Sequence, residues 1–380
     1  MSTRRIEFHR HALNEEDIAE VTRVLHTLFL TSGPVGKRFE NDLADYLGVA
    51  ESVAVSSCTT GMFLCLKAMG IGPGDEVITT PMTFIATSNV IIHAGAKPVF
   101  VDCEPDTGLI DASAIEGAIT DRTKAIMPVH LLGQMADMRA ICGTADKHGL
   151  RVIEDSAHGP ECSRDGNRPG TAGDAAVLSF YATKPLTCGE GGAIAVRDAE
   201  LADELRKLRL HGMSKSAADR YHKAYVHWDM ELLGYKANLP DILAALLVHQ
   251  LGRIDGQREA RERIARRYEA GLANIPGLEL AAMRAESIST RHLFPIWVPA
   301  EHRDQTLVRL QELGVGVAVN YRAVHLLSFY RERYGFERGM FPNAESIGDR
   351  TISLPIYPAL DDEQVDAVID AVRTASELWQ

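Results

Sequence analysis

The sequence predicts an α/β fold: a seven-stranded, mostly parallel sheet in a large domain, then a smaller α+β domain at the C-terminus. Three observations carry this expectation. Short β-branched runs alternate with helical stretches up to Val196. Several runs, AIMPV and AVLSF among them, are apolar on both faces, as a strand covered by helices on both sides must be. After Val196 the pattern turns to charged helices, a polar loop and a mixed remainder.

The expected strands are 52–55, 76–79, 98–102, 125–130, 151–154, 175–180 and 192–196, with helices at 60–69, 86–94 and 136–148 between them. Beyond them, 199–211 reads as a charged helix and 213–230 as a long polar loop. The run 241–268 reads as one long helix, apolar in its first half and charged in its second. The remainder predicts a strand at 292–298, a helix at 304–313, a strand at 316–320 and a closing helix at 361–378. The expected division is a large domain over 1–250, including the N-terminal segment, and a small one over 251–380.

The chain has 380 residues, 46% hydrophobic and 24% charged, which is ordinary globular material and excludes disorder, collagen and coiled coil. Forty Lys and Arg against 52 Asp and Glu give a net charge of −12, a poor match for a nucleic-acid backbone. A local anion site made by backbone N–H groups remains open. No secretory h-region opens the chain, and no stretch reaches the ~18 apolar residues of a membrane span. The six cysteines are scattered without a CxxC pair, so the expectation is reduced thiols in a cytoplasmic protein, with no metal site.

The chemistry concentrates between Arg151 and Gly192. RVIEDSAH is a buried strand ending in Glu154 and Asp155, where parallel sheets bind ligands. Position alone leaves two readings of Asp155 open, a ligand acid or an N-cap of the next element. In AVLSFYATKPLTCGEGG, Lys184 sits in a tight polar loop between two apolar strands. A lysine there, with a lowered pKa, can form a Schiff base with an aldehyde cofactor. Pyridoxal 5′-phosphate (PLP) needs such a lysine, an acid at its ring nitrogen and donors for its phosphate. Upstream, Ser57-Cys58-Thr59-Thr60-Gly61 opens a helix whose free N–H groups suit an anion, although plain N-capping by Ser57 or Thr59 explains the same residues. Neither GxxxxGK[ST] nor a GxGxxG after a strand occurs, which disfavours a Walker A loop and a nicotinamide site.

These segments, in this order, resemble the DegT/DnrJ/EryC1/StrS family of sugar aminotransferases, which have the aspartate aminotransferase fold (PLP fold type I). The resemblance covers essentially the whole chain. It runs from LTSGPVGKRFENDLADYLGV through SSCTTGM, GIGPGDEVITTPMTFIATSN, RVIEDSAH and SFYATKPLTCGEGG to GYKANLPD and FPNAESIGDRTISLPIYP. It implies that Lys184 carries the cofactor and shuttles the substrate proton. It implies that Asp155 meets the ring nitrogen, and that His158 contacts the phenolic oxygen or the ring. Ser179, Thr59 and Thr60 would bind the phosphate, and Phe84 would stack on the ring, although on its own Phe84 reads as core. Asn238, or Lys236 in its place, would reach the partner subunit's cofactor phosphate, giving a homodimer with shared active sites. Thr31, Tyr321 and His325 are the expected sugar contacts.

Two departures stand out. Cys58 and Gly61 replace the usual Gly and Ala of the phosphate turn, and Asn320 stands where many relatives have His. The latter bears on the substrate, not on the reaction. The implied activity is transfer of an amino group from glutamate to a nucleotide-linked keto-deoxy sugar, foremost C4 of a UDP- or dTDP-linked 4-keto-6-deoxyhexose. The alternatives are C3 or cyclitol amination, or a non-catalytic PLP-binding regulatory homologue. A PLP-dependent sugar dehydratase would have His in place of Lys184.

Overall fold

The protein was analysed as a computed structural model, which describes residues 5–214 and 227–379. Most of the expected loop at 213–230 lies outside the described residues; at its ends Met213 bridges Met230.

Two helices precede the sheet. The first, α1 (Glu15–Leu25), is opened by a capping box in which Asn14 and Asp17 satisfy each other's backbone N–H groups. The second, α2 (Pro34–Leu47), has Pro at its first position and ends on Gly48 at φ 75°, the left-handed conformation that glycine adopts without strain.

Seven strands then form one sheet: β1 (Glu51–Val55), β2 (Glu76–Thr79), β3 (Lys97–Phe100), β4 (Thr123–Ile126), β5 (Arg151–Ser156), β7 (Ala175–Ser179) and β8 (Gly192–Val196). The short β6 (Ser163–Arg164) lies outside it and pairs with β10 (Ser287–Ile288). The sheet order is β1-β8-β7-β5-β4-β2-β3. Every pair is parallel except those made by β8, which runs against both β7 and β1. The two-faced apolar pattern is explained by two cores. Val53, Val55, Val177 and Ile194 pack on one face with α3 (Cys58–Ala68); Ala54, Leu178, Ala193 and Ala195 pack on the other with Phe39 and Leu43 of α2. Alternate residues of one strand serve different cores, as a period of two requires.

The expected helix at 241–268 is two helices, α7 (Asp241–Leu251) and α8 (Ile254–Leu272). The break falls at Gly252, a poor helix residue, where Arg253 N bonds Gln250 O. It lets the apolar α7 pack against the first two helices while the charged α8 runs into a second core. There Ile264, Tyr268 and Leu272 meet β11 (Phe294–Trp297), β12 (Thr351–Leu354) and α12 (Asp362–Ser376). Ile6, from the N-terminal segment, joins this C-terminal core.

The expected strand at 316–320 is absent. Gly316 N bonds Ile6 O on one side, and Ala318 exchanges a single pair of bonds with Ser353 on the other, so no ladder extends. Among the described residues no helix is long and apolar enough to cross a membrane, and no cluster of His, Cys, Asp and Glu has a metal-holding arrangement.

Candidate active site

The carboxyl ends of the parallel strands deliver the candidate residues to one place. At the end of β5 the strand period separates the Glu154–Asp155 pair. Glu154 turns to one face, where it meets His130 Nε2 at 2.8 Å and accepts from Gly170 N and Gly173 N. It is fully used as a structural group. Asp155 turns to the other face, accepting from Thr87 Oγ1 at 2.7 Å and Ala157 N at 3.1 Å. Burial pushes the Asp155 carboxyl up, against the pull of these two bonds and of the Lys184 charge. An acid held this way gains from a cationic N–H placed before it.

Lys184 lies on the hairpin loop between β7 and β8. Its backbone N bonds Tyr181 O at 2.9 Å, which curls the loop back on itself. Gln250 of α7 clamps the far side, accepting from Thr187 N and donating to Thr187 O at 2.7 Å. Removal from water pulls the Lys184 amine down to about 8, opposed by Cys58 and Asp155. Near neutrality a sizeable share is the free amine, the nucleophilic form.

Ser57 caps α3 by accepting from Thr60 N, and Gly61 N returns to Ser57 O. The N–H groups of Cys58 and Thr59 point out of the helix's first turn without an intrahelical acceptor, as the first N–H groups of any helix do. Two glycines permit the approach of sheet and helix here. A Cβ on Gly192 would lie 2.5 Å from Cys58 N, and one on Gly61 would lie 2.6 Å from Val177 Cγ1. The second contact explains why Gly61 departs from the usual Ala.

Ser57, Cys58, Thr59, Asp155 and Lys184 line a cavity of about 540 Å³ together with Phe84, His158, Ser179 and Tyr321. The cavity opens past Phe84, 53% exposed, and Tyr181, 46% exposed. His158 accepts from Leu132 N through Nδ1 at 2.9 Å, and its Nε2 lies 3.1 Å from Tyr321 Oη. Burial pushes the His158 ring well below its ordinary value, so it is neutral.

The donor set fits PLP. It offers an unneutralised buried acid, a depressed lysine amine and a first turn of free N–H groups beside the Ser57 and Ser179 hydroxyls. The residues that would hold the cofactor are therefore Lys184, Asp155, Ser179, Thr59, Phe84 and His158.

Five residues singled out in the sequence, counting Lys236 as the alternative to Asn238, do not line this cavity. Thr60 turns its hydroxyl to Ser57 Oγ at 2.9 Å. Thr31 and Asn238 bond each other at 3.1 Å, and Lys236 Nζ donates to Asn238 Oδ1 at 2.6 Å, so the two rival residues form one cluster. His325 is fully buried, bonded to Glu345 at 3.0 Å and edge-on to Phe341. It serves an aromatic core, because the short 3₁₀ turn Val324–Leu326 folds it inward. Two residues escaped the sequence reading. Thr87, three residues after Phe84 on α4 (Ile85–His93), faces Asp155 because that spacing is one helical turn. His292 lies 3.4 Å from Lys184 Nζ and carries no local signal.

The model of the DegT/DnrJ/EryC1/StrS aminotransferase family matches residues 11–373. The chain belongs to this family. It is thereby a PLP-dependent aminotransferase of fold type I. It is 44% identical over 367 residues to the spore coat polysaccharide biosynthesis protein SpsC of Bacillus subtilis, covering 95% of this chain and 94% of SpsC. DesV of S. venezuelae, solved with a ketimine intermediate, superposes with TM-score 0.92 at 36% identity, over 99% of each chain. The putative sugar aminotransferase Spr1654 of Streptococcus pneumoniae, solved in PMP and PLP forms, gives 0.93 for the PMP form at 31% identity, over 99% of this chain and all of that one.

Proposed function

We propose that this chain transfers an amino group from glutamate to the keto carbon of a nucleotide-linked keto-deoxy sugar, foremost C4 of a UDP- or dTDP-linked 4-keto-6-deoxyhexose, in amino-sugar or polysaccharide biosynthesis. The observation that carries the reading is the half-buried Lys184 and the buried Asp155 lining one open cavity. An open mouth admits a sugar while its nucleotide stays outside. The names of SpsC and Spr1654 support a sugar substrate.

When bound, PLP supplies an aldehyde and an electron-withdrawing ring that delocalises charge at the substrate carbon. Asp155 would keep the ring nitrogen protonated by its own negative charge. Ser179 and the first turn of α3 would hold the phosphate. Phe84 would cover the ring and exclude water from it. Lys184 Nζ would take the proton from the donor carbon and return it later. Asn238 and Lys236, outside this chain's own cavity, fit a reach into the partner's site in a cytoplasmic homodimer. The chain is read as a large domain over 1–250 and a small one over 251–380.

The test is the visible spectrum of purified protein before and after glutamate, beside Lys184→Ala, followed by mass spectrometry of products from a panel of keto-sugar nucleotides. A band that bleaches with glutamate, and an aminated sugar nucleotide, are the expected results. A protein that stays colourless with PLP refutes the reading.

A further inference from the structure

Lys184 has one close neighbour that reaches it from the other side of the molecule. His292 precedes β11, more than a hundred residues along the chain, and its Nε2 stands 3.4 Å from Lys184 Nζ. The turn that carries it is held by several backbone hydrogen bonds. Thr290 N bonds Gly133 O at 3.0 Å, Thr290 O accepts from Arg261 Nε at 2.8 Å, and His292 N donates to Thr290 Oγ1 at 3.1 Å. Thr290 Oγ1 in turn donates to His158 O at 2.7 Å, and the His158 and His292 rings lie 5.1 Å apart. Behind Lys184 and His292 is a second small cavity of about 60 Å³, also lined by His9 and Asn320. His9 Nε2 and Asn320 Oδ1 are buried without a hydrogen-bond partner. A polar space of this size has room for water beside these two atoms.

We infer that His292 is the positioning residue for Lys184: its Nε2 accepts a hydrogen bond from the lysine amino group whenever that group is free, and so fixes where the amine waits between leaving the cofactor and returning to it. This inference rests on reading Lys184 as the cofactor-bearing lysine. The groups that face Lys184 and His292 are Asp155 from β5, Cys58 from α3, His158, His9 from the N-terminal segment, Arg261 from α8, and Tyr321. Burial and the Lys184 charge push His292 well below its ordinary value, so it is a neutral acceptor rather than a competing cation.

The experiment uses two readouts on wild type, His292→Gln, His292→Asn and His292→Phe. The first is the titration of Lys184 in cofactor-free protein, from the pH dependence of its acetylation measured by peptide mass spectrometry. The second is the split between kcat and KM for the amino donor. Gln Oε1 occupies the place of Nε2 and keeps both near wild type. Phe and Asn, which offer no acceptor at that place, lower the Lys184 pKa by about one unit, since a neutral acceptor favours the ammonium. They also lower kcat roughly 10- to 100-fold through misplacement, with KM little changed. If Phe does not fold, Asn carries the test. An unmoved titration in Phe or Asn overturns the inference, as does a loss in Gln equal to that in Asn. A wild-type protein whose Lys184 never becomes PLP-linked overturns the reading of Lys184 itself, and mass spectrometry after reduction with borohydride tells that failure from the others.

Discussion

Replacing Asp155 with Asn separates what this residue does for the fold from what it does for the chemistry. Asp155 is 4% exposed and accepts two hydrogen bonds. Asn preserves both contacts: its Oδ1 accepts from Ala157 N, and its Nδ2 donates to Thr87 Oγ1, whose own proton turns to Phe84 O at 3.2 Å. The substitution therefore removes a charge and little else. Burial raises the folded-state pKa above the ordinary 3.8. For a group shifted this way, stability is full below the unfolded pKa and is lost as pH rises through the folded one. Cofactor-free wild type thus loses up to about 1.4 kcal/mol per pH unit in that window, and the Asn variant does not. Urea unfolding of both cofactor-free proteins over a pH series starting at the ordinary carboxyl value of 3.8 and rising from there measures this, with the variant gaining on wild type as pH rises. Its turnover falls by about 10²–10³, the scale for losing one electrostatic partner of developing charge. A stability difference independent of pH would refute the claim that burial, rather than its hydrogen bonds, governs Asp155.

Three further outcomes follow from the site's geometry. Covalent uptake of PLP by the cofactor-free protein speeds up as pH rises and levels off above about 8, since only the neutral Lys184 amine attacks; stopped-flow absorbance reads it, and a flat profile refutes it. Gly192→Ala presses a Cβ onto Cys58 N and Ser57 C, both backbone. The overpacking costs about 1–3 kcal/mol and weakens PLP binding roughly ten- to hundredfold in equilibrium dialysis. Gln250→Leu strands Thr187 N and O without their partner, lowering stability by about 1–3 kcal/mol per orphaned group in thermal unfolding and slowing PLP attachment through a loosened Lys184 loop.

The parts legible in the sequence are those whose physics is local. A strand apolar on both faces can only be covered on both faces, so the seven-stranded sheet follows from runs such as AVLSF. Asp155 is legible because it lies at the end of such a strand, and Lys184 because it lies in the loop between two of them. The misreadings share one cause, which is that nearness along the chain is not nearness in space. His325 follows Tyr321 by four residues, yet Tyr321 meets His158 in the cavity while His325 is folded onto Glu345. The expected strand at 316–320 has the right composition, but its neighbours Ile6 and Ser353 lie far off in sequence, and each takes only part of its hydrogen bonding. His292 was invisible for the converse reason. Nothing in RHLFPIW points to Lys184, and only the fold brings them together.

How the fold holds that long-range meeting bears on how the enzyme accommodates substrate. Glu161 and Arg261 form a buried ion pair at 2.6 Å, and the same Arg261 bonds Thr290 O in the turn before His292. Breaking such a pair by removing one partner leaves a buried charge and costs about 3–5 kcal/mol. The ion pair ties the segment after β5 to α8, and through Thr290 it holds the turn before His292 against His158. At the cavity mouth Phe84 and Tyr181 are half exposed, with Phe84 tilted 5.8 Å from Tyr321. A substitution at Phe84 or Tyr181 therefore alters the cavity mouth without touching Arg261, Thr290 or His292.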